Sequence, residues 1–275
     1  MALTRTAQPM NPLRLVRRRG YLGTQNLLAR AGYDFRRKPH PKPSAPAARA
    51  FYEPTDTCQI RYLGSLYEAV FGQRRDGFFV EVGAFDGISF SNSSCLAAVG
   101  WRGVLVEPVP TFAARCRERY ADNPRVQVCE CAVGADDREI ELIVGGPLTT
   151  ANELLAREYL DVGWAKNQMR DANTTSVRQR TLDQLLSDES VEPGFEVLVV
   201  DVEGYEQAVF ASFDLECWWP QMVIVELADT HPDLTVTRAG DAQLARRLVD
   251  QGYDVLYKDV INTVFVRRDR WHPAV

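Results

Sequence analysis

The chain has 275 residues, of which 45% are hydrophobic and 25% are charged, and these are ordinary values for a folded globular protein. It contains no run of about 18 or more apolar residues, which argues against a membrane-spanning helix, and its N-terminus lacks the continuous apolar core of a signal peptide. We therefore expect a cytoplasmic protein of one or two domains.

The first fifty residues form a basic arm in front of an acidic body. Residues 1–50 hold eleven Lys or Arg and one acid, a net charge of +10, which leaves −15 on residues 51–275 out of the total of −5. Apolar residues at heptad spacing favour one basic helix over 12–31, and KPHPKPSAP at 38–46 is typical of an extended linker. We predict a domain boundary near residue 50 and a peripheral contact of the arm with an anionic membrane, at its inner face. The alternative is a solvated tail, or a tail that docks on the acidic body or on a partner.

Short apolar runs and helical patterns alternate beyond that boundary. The strand candidates are 78–84, 103–107, 126–133, 197–201, 221–226, 253–257 and 263–266, and the helix candidates are 89–99, 111–120, 205–212 and 241–251. This alternation predicts an α/β fold with a doubly wound, mainly parallel sheet of seven strands. Because few residues separate the last two strands, they should form a terminal antiparallel hairpin.

An insertion interrupts this alternation. The runs 139–144 and 175–181 resemble two extra strands, and a polar stretch of about thirty residues separates them. A loop of that length in a compact domain is usually functional or mobile, so we interpret the insertion near 145–175 as a lid over a site.

The six cysteines give no sign of a metal site or a disulfide framework. They form no CxxC pair and no histidine cluster accompanies them, and the alternation around residue 130 predicts Cys129 and Cys131 on one face of a strand. Reduced, buried thiols are the expected state.

A glycine turn, Gly83–Ala84–Phe85–Asp86–Gly87, follows the first strand candidate, in the stretch FFVEVGAFDG. Glu81 lies late in that strand, and Glu107 ends the next strand twenty residues after Gly87. Ligands of open parallel sheets bind beyond the carboxyl ends of the strands, where a turn without side chains admits a ligand and an acid can accept both hydrogen bonds of a ribose diol. We therefore predict a nucleoside site, with a purely structural turn as the alternative.

The composition of the turn discriminates between nucleoside cofactors. A dinucleotide site requires GxGxxG, but here Phe85 stands in the middle and Asp86 adds a negative charge that would repel a pyrophosphate. A carboxylate would tolerate the sulfonium and ammonium groups of S-adenosylmethionine. The turn followed by Glu107 therefore favours S-adenosylmethionine over NAD.

A second group of acids lies in VLVVDVEGYEQAVF at 197–210. Asp201 ends a strand candidate there, and Glu226 ends the next one, so Glu81, Glu107, Asp201 and Glu226 should share one rim of the sheet. Glu203 and Glu206 lie in the first turn of a helix, where the helix dipole alone can account for an acid such as Glu206.

These motifs resemble the FkbM family of S-adenosylmethionine-dependent methyltransferases. The resemblance rests on GFFVEVGAFDGISFSNSSCL, GWRGVLVEP, CAVG at 131–134, TLDQLL at 181–186, DVEGYE at 201–206 and NTVFV at 262–266, and it spans roughly 60–268. It implies a class I methyltransferase fold and O-methylation of a sugar, a glycolipid or a related natural product such as a polyketide.

The resemblance also implies roles for individual residues. It assigns the methionine side of the cofactor to Glu81, Gly83, Ala84, Phe85, Asp86 and Gly87, with Ser91 and Asn92 close by. Glu107, with Pro108 beside it, would hold the ribose, Cys131 and Ala132 would border the adenine, and Asp201 would face the methyl group and the acceptor. Ser93-Ser94-Cys95 departs from the threonine and aromatic residue expected after Asn92, which leaves the packing of this helix open.

Methyl transfer from sulfur to a hydroxyl is an in-line displacement that benefits from a base or a metal. His231 is the best-placed histidine for a base, although a plain loop histidine before Pro232 is the alternative. Asp201, Glu203 and Glu226 are the other catalytic candidates, and their oxygens suit a hard divalent ion.

Two other functional classes stay open. A nucleic-acid or protein methyltransferase is one, although the acidic body and the missing [DN]-P-P-[YF] signature argue against nucleic acid as a partner. A nucleoside-binding protein without turnover is the other.

Overall fold

The computed structural model describes residues 50–60 and 62–270, so the basic arm, its predicted helix and its predicted membrane contact lie outside the described residues. The strands are β1 Phe78–Val82, β2 Arg102–Val106, β3 Val126–Cys129, β4 Ala132–Val133, β5 Arg138–Val144, β6 Asn173–Arg180, β7 Val197–Val200, β8 Met222–Glu226, β9 Tyr253–Lys258 and β10 Asn262–Arg267. The helices are α1 Leu63–Phe71, α2 Ser94–Val99, α3 Pro110–Arg119, α4 Glu153–Asp161, α5 Lys166–Arg170, α6 Leu182–Asp188, α7 Glu206–Ala211, α8 Leu215–Trp218 and α9 Arg238–Asp250.

Seven strands form one sheet in the order β3-β2-β1-β7-β8-β10-β9. Pairing is parallel from β3 through to β8, whereas β10 runs antiparallel to both β8 and β9. The predicted mainly parallel sheet with a terminal antiparallel hairpin is therefore confirmed. The strand order reverses between β1 and β7, and a crevice at their carboxyl ends is where ligands of such sheets bind.

The central strands are apolar on both faces because helices cover both sides of the sheet. One face carries Val80, Val104, Leu198 and Val223, and the other carries Phe79, Leu105, Val199 and Ile224. Side chains alternate between faces along a strand, so the acids that follow the second set by two residues extend that same face. These acids are Glu81, Glu107, Asp201 and Glu226. Glu107, Asp201 and Glu226 lie at the same level at the carboxyl ends of their strands, whereas Glu81 lies within β1, level with Leu105 and Val199, so the predicted rim of four acids holds for three of them.

A smaller sheet, in the order β4-β6-β5, stands beside the large one. It corrects the predicted single strand 126–133, because β3 belongs to the large sheet whereas β4 pairs with β6 in the small one. Cys129 ends β3 and Cys131 lies beyond the break, so the two thiols do not share one face of a strand. The alternation of apolar and polar residues in VQVCECAV continues across the break, so the sequence pattern does not predict it.

The insertion between β5 and β6 is folded. It contains a 3₁₀ turn at Gly146–Leu148 followed by α4 and α5, and the side chain of Asn152 caps α4 by accepting hydrogen bonds from two backbone amides. Leu155, Tyr159 and Met169 pack in an apolar cluster with Ala228 and Leu234 from the segment after β8. The insertion thus lies against the carboxyl end of the large sheet, and its action as a lid stays a prediction.

The predicted helix 89–99 begins only at Ser94. The residues before Ser94 form turns. Phe90 lies in one of them with a positive φ of 64°, a value that is incompatible with a regular helix. The side chain of Glu81 accepts hydrogen bonds from this segment, so the segment is held by the strand instead of by its own helical ladder.

All six cysteines are free thiols, but Cys217 is exposed, whereas we expected buried thiols. In the described part of the chain, no helix combines the length and the apolar character needed to cross a membrane.

Candidate functional site

A cleft opens at the carboxyl ends of β1, β2 and β7, with about 590 Å³ of atom-free space that includes some open solvent. Eight residues predicted from the sequence line it: Gly83, Phe85, Glu107, Pro108, Cys131, Ala132, Asp201 and Glu203. Others were not predicted, including Phe112, Ile140, Leu142, Thr149, Ala151 and Tyr205. The small sheet and the insertion therefore supply a wall that the strand-end pattern does not predict.

Gly83 lies where the ends of β1 and β7 meet. Its φ is +91°, and its amide donates to the carbonyl of Val106 at 2.9 Å. A Cβ at this position would lie 1.7 Å from the carbonyl oxygen of Asp201, so no side chain fits there. The glycine is therefore required by its left-handed conformation and by the close approach of the two chain segments.

Glu107 is fixed by two backbone amides. Its Oε2 accepts from the amide of Phe85 and its Oε1 from the amide of Val109, both at 2.8 Å. Each oxygen keeps a further lone pair, so the pair of oxygens can still accept hydrogen bonds from a diol. Burial raises the pKa of Glu107 to about 7, since its ionised form is poorly solvated.

Phe85 belongs to the same unit of the cleft. It adopts a φ of +51° that a non-glycine residue rarely takes, and its ring meets that of Phe112 edge-on at a centroid distance of 4.7 Å. The two rings give the cleft a rigid apolar surface beside Glu107.

Glu81 does not line the cleft. Its carboxylate is buried and accepts from the Ser91 hydroxyl, the Asn92 amide and the Ser93 hydroxyl at 2.9, 3.0 and 2.8 Å. Burial raises its pKa to about 6. Glu81, Ser91 and Asn92 therefore hold the segment that enters α2, and Ser93, the first residue of the unexpected Ser-Ser-Cys sequence, is part of the same network.

The rest of the glycine turn shapes the loop and does not face the cleft either. Asp86 accepts from the amides of Ile88 and Ser89 at 3.0 and 2.7 Å, and the amide of Gly87 donates to the carbonyl of Ala84 at 2.8 Å. The negative charge of Asp86 is thus used to close the turn.

Asp201, Glu203 and Glu226 form an acidic cluster in which one oxygen of each lies within 4.8 Å of the others. All three side chains are half-buried. Burial raises the pKa of each, and the negative charge of Asp201 further raises the pKa of both Glu203 and Glu226. A hydrogen bond with Glu226 partly offsets this for Asp201. The cluster will therefore favour a shared proton or a cation.

The residues present suit a divalent cation. Three carboxylates offer oxygen ligands, and Asn262 lies directly opposite Glu226 in the pairing of β8 with β10. Among the described residues, the Oδ1 atom of Asn262 is buried without a hydrogen-bond partner. Carboxylate and amide oxygens are the ligands that Mg²⁺ and Ca²⁺ take in proteins.

Glu203 sits on a strained turn that the insertion contacts. Its φ is +51° and that of Gly204 is +85°. The hydroxyl of Tyr159, in α4, donates to Oε2 of Glu203, and the Thr150 hydroxyl donates to the Glu203 carbonyl at 2.6 Å. Sequence reasoning missed Tyr159, since no motif links a residue of the insertion to the end of β7.

The side chain of Glu206 stabilises the turn that carries Glu203. Its buried Oε1 accepts from the amides of Val202 and Gly204 at 3.1 and 3.2 Å. Burial, followed by the charge of Asp241, raises its pKa to about 8. The helix dipole therefore does not fully account for Glu206, because its side chain also closes the loop that carries Asp201 and Glu203.

His231 is buried in the loop after β8 and does not line the cleft. Its Nδ1 accepts from the amides of Asp233 and Leu234 at 3.1 and 3.2 Å, so in the neutral ring the proton lies on Nε2. Burial lowers its pKa and keeps the ring neutral. Neither nitrogen then offers a free lone pair for a general base, and this geometry favours the alternative of a loop histidine.

A comparison with protein-family models matches residues 81–255 to the family described as "Methyltransferase FkbM domain". The matched range covers more than half of the chain and contains the cleft and the acidic cluster. A comparison with curated proteins finds no match.

Several solved structures align with this chain at low sequence identity. A methyltransferase FkbM from Methylobacillus flagellatus KT aligns over 73% of this chain and 47% of its own, at 14% identity and a TM-score of 0.44, so this chain spans about half the length of that protein. The O-methyltransferase TomG from Streptomyces achromogenes, involved in tomaymycin synthesis and solved with SAM, aligns over 74% of this chain and 78% of its own, at 16% identity and a TM-score of 0.40. An O-methyltransferase from Bacillus cereus, in complex with SAH, aligns over 70% and 74%, at 13% identity and a TM-score of 0.38.

Proposed function

We propose, from the premise that this chain belongs to the FkbM family of methyltransferases, that it binds S-adenosylmethionine in the cleft at the carboxyl ends of β1, β2 and β7. There it would transfer the methyl group to an oxygen acceptor. The observation that supports this most is the arrangement of the cleft. Glu107 lines one part of it, and Asp201 and Glu203 line another, with Gly83 at the junction of the two strands.

The cofactor half of the proposal rests on Glu107 and its surroundings. The two oxygens of Glu107 are oriented by backbone amides and can accept the two hydroxyls of a ribose. The apolar wall contains Phe112, Ile140 and Leu142, which suit the faces of an adenine. The acidic cluster would attract the positive sulfonium and ammonium groups of the methionine part.

The transfer half rests on the acidic cluster. The acceptor hydroxyl must approach the methyl carbon opposite the sulfur, within roughly 3–3.5 Å, and must lose its proton as the new C–O bond forms. Asp201 lies at the end of the central strand β7 and its raised pKa fits a group that accepts that proton. The products would be S-adenosylhomocysteine and a methyl ether.

A divalent cation is a second element of the proposal. Asp201, Glu203 and Glu226 would hold it, and a bound cation would acidify an acceptor hydroxyl. Manganese(II) titration followed by electron paramagnetic resonance tests the site directly, with Asp122→Asn as an exposed control and Glu226→Gln as the site variant. We expect weaker binding in Glu226→Gln alone. Equal binding by all three proteins would contradict the cation site.

The acceptor class is a hydroxyl of a sugar, a glycolipid or a related natural product. Calorimetry should first give binding of S-adenosylmethionine and S-adenosylhomocysteine in preference to NAD, and NAD binding without either of them would overturn the proposal. Incubation with methyl-labelled cofactor and a panel of glycans, glycolipids and polyketides then tests the acceptor. Label found only in nucleic acid or protein, each included in the panel, would overturn the oxygen-acceptor class, and binding without transfer to anything would favour a nucleoside-binding protein.

A further inference from the structure

Tyr159 connects the insertion to the acidic cluster. We propose that Tyr159 is a positioning residue that holds the carboxylate of Glu203 at the point in the cleft where the transferred methyl group lies. This inference rests on the proposed function and deepens it, since it assigns the insertion a part in arranging the site.

The first observation is the contact itself. The hydroxyl of Tyr159 donates to Oε2 of Glu203. The ring is 1% exposed, packs in the apolar cluster of the insertion and meets the indole of Trp164 edge-on at 5.7 Å. Because packing fixes the ring, the hydroxyl is a fixed donor, and it determines where one oxygen of Glu203 lies.

The second observation is that the insertion also holds the backbone of Glu203. Thr150 donates to the carbonyl of Glu203, and the side-chain amide of Asn152 donates to the carbonyl of Gly204 at 3.1 Å. A Cβ on Gly204 would lie 2.5 Å from a methyl of Leu155, so α4 packs directly on this turn. The insertion thus contacts the main chain and the side chain of the same residue.

The third observation explains why such a donor is needed. Glu203 lies in a cluster with Asp201 and Glu226, and like charges at these separations repel one another. Glu203 is only half-buried, so without a partner its flexible side chain would turn toward solvent. A neutral donor on the far side of its carboxylate holds it next to Asp201 without adding a positive charge to the cleft.

Two cofactor analogues test this inference without an acceptor. S-adenosylhomocysteine has nothing at the methyl position, whereas sinefungin carries an ammonium group there. If Glu203 is held at that position, the wild-type chain should bind sinefungin more tightly than S-adenosylhomocysteine when a chelator keeps the acidic cluster free of cations. In Tyr159→Phe, affinity for S-adenosylhomocysteine should stay within about twofold, while the preference for sinefungin falls by about tenfold, because a charged group has lost its hydrogen bond.

Three further variants make the result specific. Glu203→Gln should lose the sinefungin preference in the same way, and adding Tyr159→Phe to it should cause no further loss, since the two residues act in series. Tyr253→Phe is the matched control, because Tyr253 is an equally buried tyrosine whose hydroxyl donates to the carbonyl of Pro220 at 2.7 Å, away from the cleft. It should keep both affinities.

The outcomes separate the inference from the proposed function. A wild-type chain that binds neither analogue overturns the proposed function and the inference with it. Binding of both with no preference for sinefungin, or a preference that Tyr159→Phe retains, overturns the positioning role alone. If Tyr159→Phe fails to fold by circular dichroism, Glu203→Gln decides: an unchanged preference there places Glu203 away from the methyl group and overturns the inference, and a lost preference supports it.

Discussion

The carbonyl oxygen of Asp201 lies so close to the α-carbon of Gly83 that a Cβ on residue 83 would come within 1.7 Å of it. The amide of Asp201 also donates to the carbonyl of Val82 at 3.0 Å, so the end of β7 is hydrogen-bonded to the residue just before the glycine. The cleft opens across this junction, and its shape therefore depends on residue 83 having no side chain.

We expect Gly83→Ala to lower the free energy of unfolding by about 2–4 kcal/mol and to abolish binding of S-adenosylhomocysteine, because the added methyl group meets backbone in a left-handed conformation. Urea unfolding and calorimetry measure the two effects. Gly163→Ala is the control, since a Cβ there meets nothing within 4 Å, and we expect a change within about 0.5 kcal/mol. Normal binding by Gly83→Ala would show that the junction can open without loss of the site.

Glu107→Gln should weaken S-adenosylmethionine and S-adenosylhomocysteine binding equally, by about 1–3 kcal/mol. A glutamine places an amide donor where one of the ribose hydroxyls or a backbone amide needs an acceptor. Calorimetry with both ligands checks this, and the exposed Glu192→Gln, which removes the same charge, serves as the control. Unchanged affinity in Glu107→Gln would remove this residue from the cofactor site.

The residues at strand ends were predictable from the sequence, whereas those brought by the insertion were not. Glu107 and Asp201 each follow an unbroken apolar run, and parallel strands bring the ends of such runs to one rim. The glycine at residue 83 was predictable for a related reason, because a turn at that rim must approach a ligand or a neighbouring strand closely. The seven-stranded sheet was predictable since its strands are apolar on both faces.

Tertiary contacts determine the parts that the sequence did not predict. Nothing in the spacing of residues 159 and 203 indicates that a tyrosine of α4 meets a glutamate of the β7 turn. The break between β3 and β4 depends on pairing with β6, which is distant in sequence. Glu81 was placed at the cofactor by the rim pattern, but three neighbouring donors around residues 91–93 occupy its carboxylate.

Asp201→Asn should reduce methyl transfer by about 10²–10⁴-fold while the affinity for S-adenosylhomocysteine changes little. An amide is too weak a base to take the proton from the hydroxyl group that receives the methyl group. The measurement compares turnover with methyl-labelled cofactor, using any acceptor found in the panel, against calorimetry on the same preparation. Asp122→Asn, an exposed aspartate, controls for the loss of one charge. Equal losses in turnover and affinity would instead indicate that Asp201 binds the cofactor.

The stability of the chain should depend on pH through Glu206. Its pKa is about 8 in the folded chain and about 4.3 when unfolded, so between these values the folded chain holds a proton that the unfolded chain lacks. The free energy of unfolding should therefore fall as the pH rises from 6 to 8, by at most about 1.4 kcal/mol per pH unit from this group.

Urea unfolding at pH 6, 7 and 8 checks this, with Glu206→Gln as the test. A glutamine keeps an oxygen that can accept from the amides of Val202 and Gly204 but cannot titrate, so the decline with pH should become shallower. The exposed Glu216→Gln should retain the wild-type decline. Parallel curves for wild type and Glu206→Gln would show that Glu206 stays ionised throughout.

Residues 1–50 carry a net charge of +10, in contrast with −15 on the remainder of the chain. Each Lys or Arg close to an anionic leaflet contributes about 1 kcal/mol, and the attraction fades beyond a Debye length of about 10 Å at 0.1 M salt. We expect the full chain to sediment with vesicles of anionic lipid at low salt and to be released as the salt concentration rises. It should not sediment with neutral vesicles. Deletion of residues 1–50 should abolish sedimentation. A tether of this kind would suit a lipid-linked glycan acceptor, whereas equal sedimentation with and without the arm, or none by either form, would exclude the arm as a membrane contact.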